Sequence, residues 1–140
     1  MHKFTDPSQV TIGTFLGMGA PMAAEIAAVG GVDWVLLDLE HGGAGEDVVG
    51  PTVVAGMAYG IPTLVRVESS ERIRIGRALD AGAIGVMIPR IETPEQVSAV
   101  VKHMSYPPFG DRGVATYNRS AKWGRDLSGL TQKAKAACII

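Results

Sequence analysis

The densest group of chemically capable side chains in the sequence is the run Asp38-Leu39-Glu40-His41, which two glycines follow. It comes directly after the apolar run 34–37, a pattern typical of a strand buried on both faces in a parallel sheet. Carboxylates at the end of such a strand are costly to bury unless cations pair with them. Because an imidazole titrates near neutral pH, the run predicts acid/base chemistry with His41 as the general base.

A second chemically capable side chain, Arg66, stands near the end of the next apolar run, 61–67. A guanidinium can hold a carboxylate through two parallel hydrogen bonds. In parallel α/β folds the working groups gather just past the carboxyl ends of the strands. We therefore expect Arg66 to lie near Asp38 and His41, where it could bind an anionic substrate.

Each of these residues also has a purely structural interpretation. Arg66 could serve only as the ion-pair partner of Asp38 or Glu68. Asp38 and Glu40 could form a solvated rim or cap the next helix, and His41 could be a hydrogen-bonded structural residue. The residues alone leave these alternatives open.

The elements that must position these groups alternate regularly along the chain. Strands are predicted at 11–17, 33–38, 61–67 and 84–88, and helices at 21–29, within 46–59, from 70 to 80 and from 93 to 104. Ser70 is the expected N-cap of the third helix, and Thr93-Pro94-Glu95-Gln96 is a capping box for the fourth. A loop is predicted for 106–125 and a last helix for about 126–136, before a short apolar run that looks like the start of a fifth strand.

This βα repeat predicts a parallel sheet with right-handed crossovers. A (β/α)8 barrel needs about 250 residues, so the 140 residues of this chain correspond to about half of one. The pattern leaves two alternatives open: a four-stranded open α/β fold, or the first half of a barrel.

Composition excludes several other classes of protein. With 13 Lys+Arg against 14 Asp+Glu, the net charge of −1 argues against nucleic-acid binding. The single cysteine, Cys138, excludes a disulfide within the chain and a multi-cysteine zinc site, and favours a cytoplasmic protein. We expect no membrane span and no signal peptide, because no apolar run reaches about 18 residues and the N-terminus is polar.

Two further features carry weaker predictions. Arg72, Arg74 and Arg77 look like a solvated helix face. The stretch 106–113 contains two prolines and two glycines, which predicts a loop with a fixed path. Within it, Arg112 could either pin the loop or point at an anion.

The sequence resembles the HpcH/HpaI aldolase family over almost its whole length. The resemblance lies chiefly in Asp-x-Glu-His at 38–41 and Tyr-Pro-Pro-x-Gly-x-Arg-Gly at 106–113, which are specific in combination. Smaller blocks occur in the same order at 13–15, 64–66, 79–83, 86–89 and 119–123. The resemblance implies the first half of a (β/α)8 TIM barrel, with four βα units and the start of strand five. It also implies that 1–140 is a partial barrel domain, truncated at its C-terminus.

The resemblance also implies roles for individual residues. His41 belongs to the acid/base machinery, Asp80 pairs with that histidine, and Arg66 contacts the pyruvate oxygen and stabilises the enolate. Because Asp80 closes a helix and precedes the fourth strand, it should lie toward the opposite end of the barrel from His41 of the same chain. We therefore expect a homo-oligomer in which Asp80 reaches His41 of a neighbouring protomer.

A divalent cation, Mg²⁺, Mn²⁺ or Co²⁺, is implied by the same resemblance, as the Lewis acid that polarises the substrate carbonyl. Its main ligands in the family are a Glu after strand five and an Asp after strand six, which would lie beyond Ile140. Asp38 and Glu40 are expected near the metal and its waters rather than as its main ligands. We thus expect no metal ligand within this chain.

The function expected from the resemblance is that of a carbon–carbon lyase. It would cleave or form 2-oxo-4-hydroxy acids through a metal-stabilised pyruvate enolate, with pyruvate or another 2-oxo acid and an aldehyde as partners, and would need residues beyond this chain. The alternative is a non-catalytic half-barrel fragment that self-associates and at most binds a small carboxylate at Arg66. A related lyase of CoA esters shares the barrel, but the Asp-x-Glu-His block favours the free-acid aldolases.

Overall fold

Strands and helices alternate along the chain in the computed structural model, which describes residue 6, residues 8–127 and residues 137–139. The elements are β1 (Gly13–Leu16), α1 (Met22–Val29), β2 (Trp34–Asp38), α2 (Val49–Ala58), β3 (Thr63–Arg66), α3 (Arg72–Asp80), β4 (Gly85–Met87), α4 (Pro94–Met104) and β5 (Ala137–Ile139). Two short 3₁₀ helices, Glu46–Val48 and Lys122–Gly124, lie between them. The last helix predicted from the sequence, about 126–136, falls almost entirely outside the described residues.

All five strands are parallel and lie in the order β1-β2-β3-β4-β5. Each strand therefore pairs with the next one along the chain, and the order never reverses. A doubly wound open sheet requires such a reversal, whereas a barrel advances in one direction. The fold is thus the first half of a (β/α)8 barrel, and the open α/β alternative is wrong.

The two faces of the sheet differ in what they carry. One row of register partners, Leu16, Leu37, Val65 and Val86, is buried in the main core. The next row toward the carboxyl ends contains Asp38, Arg66 and Met87. Because successive residues of a strand point to opposite faces, the apolar row faces the core formed with the helices, while the polar row lies on the other face.

The helix ends test two sequence predictions with opposite results. The capping box of α4 is confirmed: the Thr93 hydroxyl accepts from the Gln96 N–H at 3.3 Å, and the Gln96 side chain accepts from the Thr93 N–H at 3.1 Å. The predicted N-cap of α3 is wrong, because the helix begins at Arg72 with Glu71 in the N-cap position. Ser70 stands one residue too early to cap the first turn.

One apolar surface stays uncovered in the described part of the chain. Met22, Ile26 and Val29 lie one above another along α1 and are each at least 65% exposed. They stand beside β1, the edge strand of the sheet. A stripe of this spacing is the pattern of a helix face that packs against another element. Among the described residues, no helix is long and apolar enough to cross a membrane.

Candidate active site

The sheet register brings Asp38 and Arg66 together at the carboxyl ends of β2 and β3, where they are direct partners. The Arg66 guanidinium donates from Nε to Asp38 Oδ1 at 2.9 Å and from Nη2 to Asp38 Oδ2 at 2.6 Å. It also lies over the ring of Phe15 from β1, with Cζ 5.2 Å from the centroid. These contacts fix the arginine in one orientation, since a two-bond fork and a stacked ring both constrain its plane.

Asp38 is held as a carboxylate by this arrangement. The pKa of Asp38 is lowered to about 2, chiefly by the hydrogen bonds from Arg66 and against the opposing effect of burial. The backbone N–H groups of His41 and Glu40 contribute to the same lowering. Those two N–H groups donate to Oδ1 at 3.2 and 3.0 Å. Asp38 thus shapes the turn that follows β2 as well as orienting Arg66.

His41 stands on this turn at the mouth of the cluster, with its side chain 68% exposed. Its Nε2 lies 3.7 Å from Glu40 Oε1, and Glu40 Oε2 lies 3.4 Å from Arg66 Nε. Gly42 is required for the turn, because any Cβ at that position would collide with the carbonyl oxygen of Asp38. The turn therefore places an exposed imidazole and a fixed guanidinium on either side of the same carboxylate.

Asp80 lies elsewhere, at the end of α3. Its carboxylate Oδ1 accepts from Arg112 Nη2 at 2.6 Å, and no hydrogen bond or ion pair joins it to His41 in the part of the chain that the structure describes. Among the described residues Asp80 thus contacts Arg112 rather than His41, and its pairing with His41 of a neighbouring protomer stays a prediction. The carboxylate is 28% exposed, so one side of it stays open to an approaching group.

The loop at 106–113 is pinned by Arg112, one of the two roles considered for that residue. Arg112 is only 6% exposed. Its Cζ lies over the ring of Tyr106, 4.5 Å from the ring centroid. Its backbone N–H donates to the carbonyl of Ser105 at 2.9 Å. The loop therefore places the buried guanidinium of Arg112 against Asp80.

Arg74 and Arg77 are exposed on α3, as the sequence predicted, but they also form ion pairs that it did not predict. Both arginines form ion pairs with Glu46. Arg74 Nη1 lies 2.9 Å from Glu46 Oε1, and Arg77 Nε lies 2.5 Å from Glu46 Oε2. Arg74 also lies 3.7 Å from Glu68. The charge pattern of α3 suggested the cations but not their common partner, which comes from the 3₁₀ helix before α2. The sequence also predicted no role for Phe15, whose ring lies under the Arg66 guanidinium.

The described residues do not provide a ligand set for a divalent metal. They contain no group of three or more His, Cys, Asp or Glu side chains that could hold one. Both oxygens of Asp38 accept from Arg66, so this carboxylate is already committed to a cation. The chemistry that the described residues offer is recognition of an anion by Arg66 and proton transfer by His41.

The described residues form half of an α/β barrel with a carboxylate–arginine pair and a histidine at the strand ends. Comparison with known proteins identifies the family. The sequence profile of the HpcH/HpaI aldolase/citrate lyase family matches residues 11–139. The chain therefore belongs to this family, as its sequence motifs predicted.

Two of its curated relatives are aldolases. The chain is 35% identical to 2-keto-3-deoxy-L-rhamnonate aldolase of Escherichia coli K12 over 133 residues, 94% of this chain and 50% of the relative. It is 37% identical to pyruvate aldolase of Rhizobium etli over 114 residues, 81% of this chain and 45% of the relative. The chain thus spans about half the length of the curated relatives it matches.

Solved structures show the same relation. An HpcH/HpaI aldolase/citrate lyase family protein from Burkholderia cenocepacia J2315 superposes with a TM-score of 0.88 at 34% identity, over 97% of this chain and 56% of its own. Macrophomate synthase superposes with a TM-score of 0.78 at 27% identity, over 96% of this chain and 48% of its own.

Proposed function

We propose that this chain carries the substrate-orienting and proton-transferring half of a carbon–carbon lyase that cleaves or forms 2-oxo-4-hydroxy acids through a pyruvate enolate. The observation that carries the proposal is the Asp38–Arg66 pair, with its two hydrogen bonds of 2.9 and 2.6 Å, beside His41. The aldolase activity of the relatives supports it. We further propose that residues 1–140 are a partial barrel domain, completed by residues outside this chain.

Arg66 is the residue that would bind the 2-oxo acid. A guanidinium has five N–H donors, and Asp38 uses two of the five on Arg66. The remaining donors are free to hold the carboxylate and the carbonyl oxygen of the substrate. Because Asp38 fixes the plane of the guanidinium in advance, little reorganisation is needed when negative charge develops on the enolate oxygen.

His41 would move the proton of the 4-hydroxyl group. Retro-aldol cleavage removes this proton while the bond between carbons 3 and 4 breaks, which leaves an aldehyde and the enolate; protonation of the enolate at carbon 3 gives pyruvate. An imidazole suits the first step because its ordinary pKa is near neutral.

Asp80 of a neighbouring protomer would orient this imidazole in a homo-oligomer, since its carboxylate is 28% exposed and no contact joins it to His41 of its own chain among the described residues. Mixing His41→Ala chains with Asp80→Ala chains tests this arrangement, because only mixed assemblies contain an intact pair. Recovery of part of the activity lost in each variant is expected, and no recovery would contradict the shared site.

A divalent cation, Mg²⁺, Mn²⁺ or Co²⁺, belongs to the proposal as an expectation from the family. Because the described residues do not fit such an ion, its ligands would lie outside this chain, with Asp38 and Glu40 at most near its waters. No step assigned above to Arg66 or His41 passes through the metal. A cytoplasmic location remains a prediction from the single cysteine.

Release of pyruvate from a 2-oxo-4-hydroxy acid tests the proposed function. The assay is run on the barrel completed by residues outside this chain, with added Mn²⁺ or Co²⁺, with a chelator, and with His41→Ala. We expect metal-dependent release that falls by about 100-fold or more in the variant, the usual effect of losing a general base. Release that survives both the chelator and the substitution would contradict the roles assigned here.

The second candidate function is a non-catalytic half-barrel that self-associates. The exposed stripe Met22, Ile26 and Val29 beside the edge strand β1 favours it, since such a surface gains free energy when covered. An inactive chain whose sedimentation coefficient rises with concentration would support this candidate. Loss of that rise in Ile26→Lys would locate the contact.

A further inference from the structure

A cleft of about 390 Å³ lies on the outer side of the sheet, between α2, α3 and the segment 115–123. Its wall includes the apolar side chains of Leu39, Val49 and Ala78, and its rim includes Arg119 and Trp123. Asp38, His41 and Arg66 do not line it. Asp80, which is proposed to orient His41 of a neighbouring protomer, does line the cleft. The cleft is therefore separate from the Arg66 site but shares one residue with the proposed aldol machinery. The following inference concerns binding at Arg119 and does not require that function.

Arg119 is the cation at the cleft whose charge is not balanced. The other two lining arginines, Arg74 and Arg77, are paired with Glu46. Among the described residues, the Arg119 guanidinium has no carboxylate partner. Its Cζ lies over the ring of Trp123, 5.6 Å from the ring centroid.

The lining carboxylates do not pair with Arg119. The lining carboxylates and the lining arginines are equal in number, three of each. All three carboxylates form ion pairs with arginines other than Arg119. Arg119 is therefore the lining cation that could pair with one negative charge of a ligand.

The backbone that carries Arg119 and Trp123 is strained. The backbone N–H of Trp123 donates to the carbonyl of Asn118 at 2.9 Å, which closes a tight turn. Lys122 and Trp123 adopt left-handed backbone conformations with φ of 47° and 57°, each of which costs about 1–3 kcal/mol in a non-glycine residue. Such strain concentrates at functional sites.

Two packing details also favour a built site over a loose loop. Gly82, with φ of 105°, makes room for the stem of Arg119, because a Cβ there would lie 2.5 Å from Arg119 Cδ. Asn118 Oδ1 accepts from the Ala121 N–H at 3.0 Å, which fixes the backbone between Arg119 and Trp123.

We infer that this cleft binds a small carboxylate with an apolar or aromatic body. The carboxylate would pair with Arg119, and the body would lie against Trp123 and the apolar wall. Pockets for small molecules combine an apolar lining with a few polar groups in this way. The stacked guanidinium is also suited to hold a planar carboxylate.

Titration with 3-phenylpropionate, followed by ¹H–¹⁵N NMR of the full chain, tests the inference. We expect saturable shifts of the Trp123 indole N–H and the Arg119 Nε–H, while the Trp34 indole N–H stays in place. The neutral analogue 3-phenylpropanol is expected to bind at least about tenfold more weakly, since it lacks the charge-assisted bond. This comparison changes only the ligand, so it does not depend on any variant folding.

Arg119→Gln is expected to weaken 3-phenylpropionate binding by about tenfold or more. The matched control is Arg125→Gln, which removes the same charge from an exposed residue that does not line the cleft; its affinity should change by less than about twofold because exposed charges are screened. Arg119→Lys, which keeps the charge without the planar fork, should retain part of the affinity.

Three results would overturn the inference. The first is the absence of saturable shifts at Trp123 and Arg119. The second is equal binding of the acid and the alcohol, or equal affinity of the wild type and Arg119→Gln. The third is that the same signals shift when only the protein concentration rises, because a second copy of the chain would then fill the cleft.

Discussion

Two arginine–aspartate ion pairs of the molecule have the same N–O distance, 2.6 Å, but differ in which partner is exposed. In the pair at the strand ends, the carboxylate of Asp38 is 8% exposed and the guanidinium of Arg66 is 22% exposed. In the pair at the end of α3, the guanidinium of Arg112 is 6% exposed and the carboxylate of Asp80 is 28% exposed. The first pair therefore presents a cation, and the second presents a carboxylate.

This difference shows how one interaction can prepare two kinds of chemistry. A buried partner removes the freedom of the presented group and leaves its outer side available. Arg66 is thereby suited to bind an anionic substrate, and Asp80 is suited to accept a hydrogen bond from a cationic or N–H group that approaches from outside. The following substitutions test whether burial of the partner decides how much stability is lost when a carboxylate is removed.

The largest expected effect on stability is that of Asp80→Ala. It leaves Arg112 buried without a carboxylate, and breaking such a pair costs about 3 kcal/mol. The matched control is Asp111→Ala, because Asp111 is 55% exposed and contacts His103; an exposed pair contributes less than about 1 kcal/mol. Urea unfolding measures both. Equal losses in the two variants would contradict the view that Arg112 depends on Asp80.

A smaller, pH-dependent effect is expected at Asp38. Its pKa is lowered from 3.8 to about 2 in the folded chain, so the folded state favours the ionised form. The resulting stability is fully present above about pH 4 and is lost as the pH falls through the folded pKa. The difference corresponds to about 2 kcal/mol.

Asp38→Asn isolates this contribution, because the amide does not titrate. Urea midpoints of the wild type and the variant, recorded between about pH 5 and pH 2, should converge as the pH falls. Parallel curves with a constant separation would show that the ionisation of Asp38 does not stabilise the fold.

The smallest effect is expected at Glu46, whose carboxylate is 26% exposed and contacts two arginines that are 41% and 62% exposed. Solvent screens such pairs, so Glu46→Gln should lower the free energy of unfolding by about 1 kcal/mol or less. A loss as large as that of Asp80→Ala would mean that exposure does not separate the two clusters.

The sequence predicted the pair at the strand ends much better than the pair at the end of α3. Asp38 and Arg66 each close an apolar strand, and in a parallel sheet neighbouring strands end at the same edge. The meeting of these two residues follows from local patterns and one topological rule. The capping box at Thr93 was predictable for a similar reason, because both partners lie within one helical turn.

The contact between Arg112 and Asp80 could not be predicted from such patterns. The two residues are 32 positions apart, and the arginine arrives on an irregular loop whose path depends on packing around Tyr106. The ion pair between Arg74 and Glu46 could not be predicted for the same reason, because it joins side chains of different elements that are 28 positions apart. Ser70 was misplaced as an N-cap for a smaller reason, a shift of one residue at a helix end.

The most direct test of the account is a chimera in which residues 8–139 of this chain replace the matched half of the Escherichia coli 2-keto-3-deoxy-L-rhamnonate aldolase. The account predicts Mn²⁺-dependent release of pyruvate from a 2-oxo-4-hydroxy acid, and a fall of at least about 100-fold in the Arg66→Ala chimera. A folded chimera that binds Mn²⁺ but releases no pyruvate, or one that keeps full activity without Arg66, would contradict it.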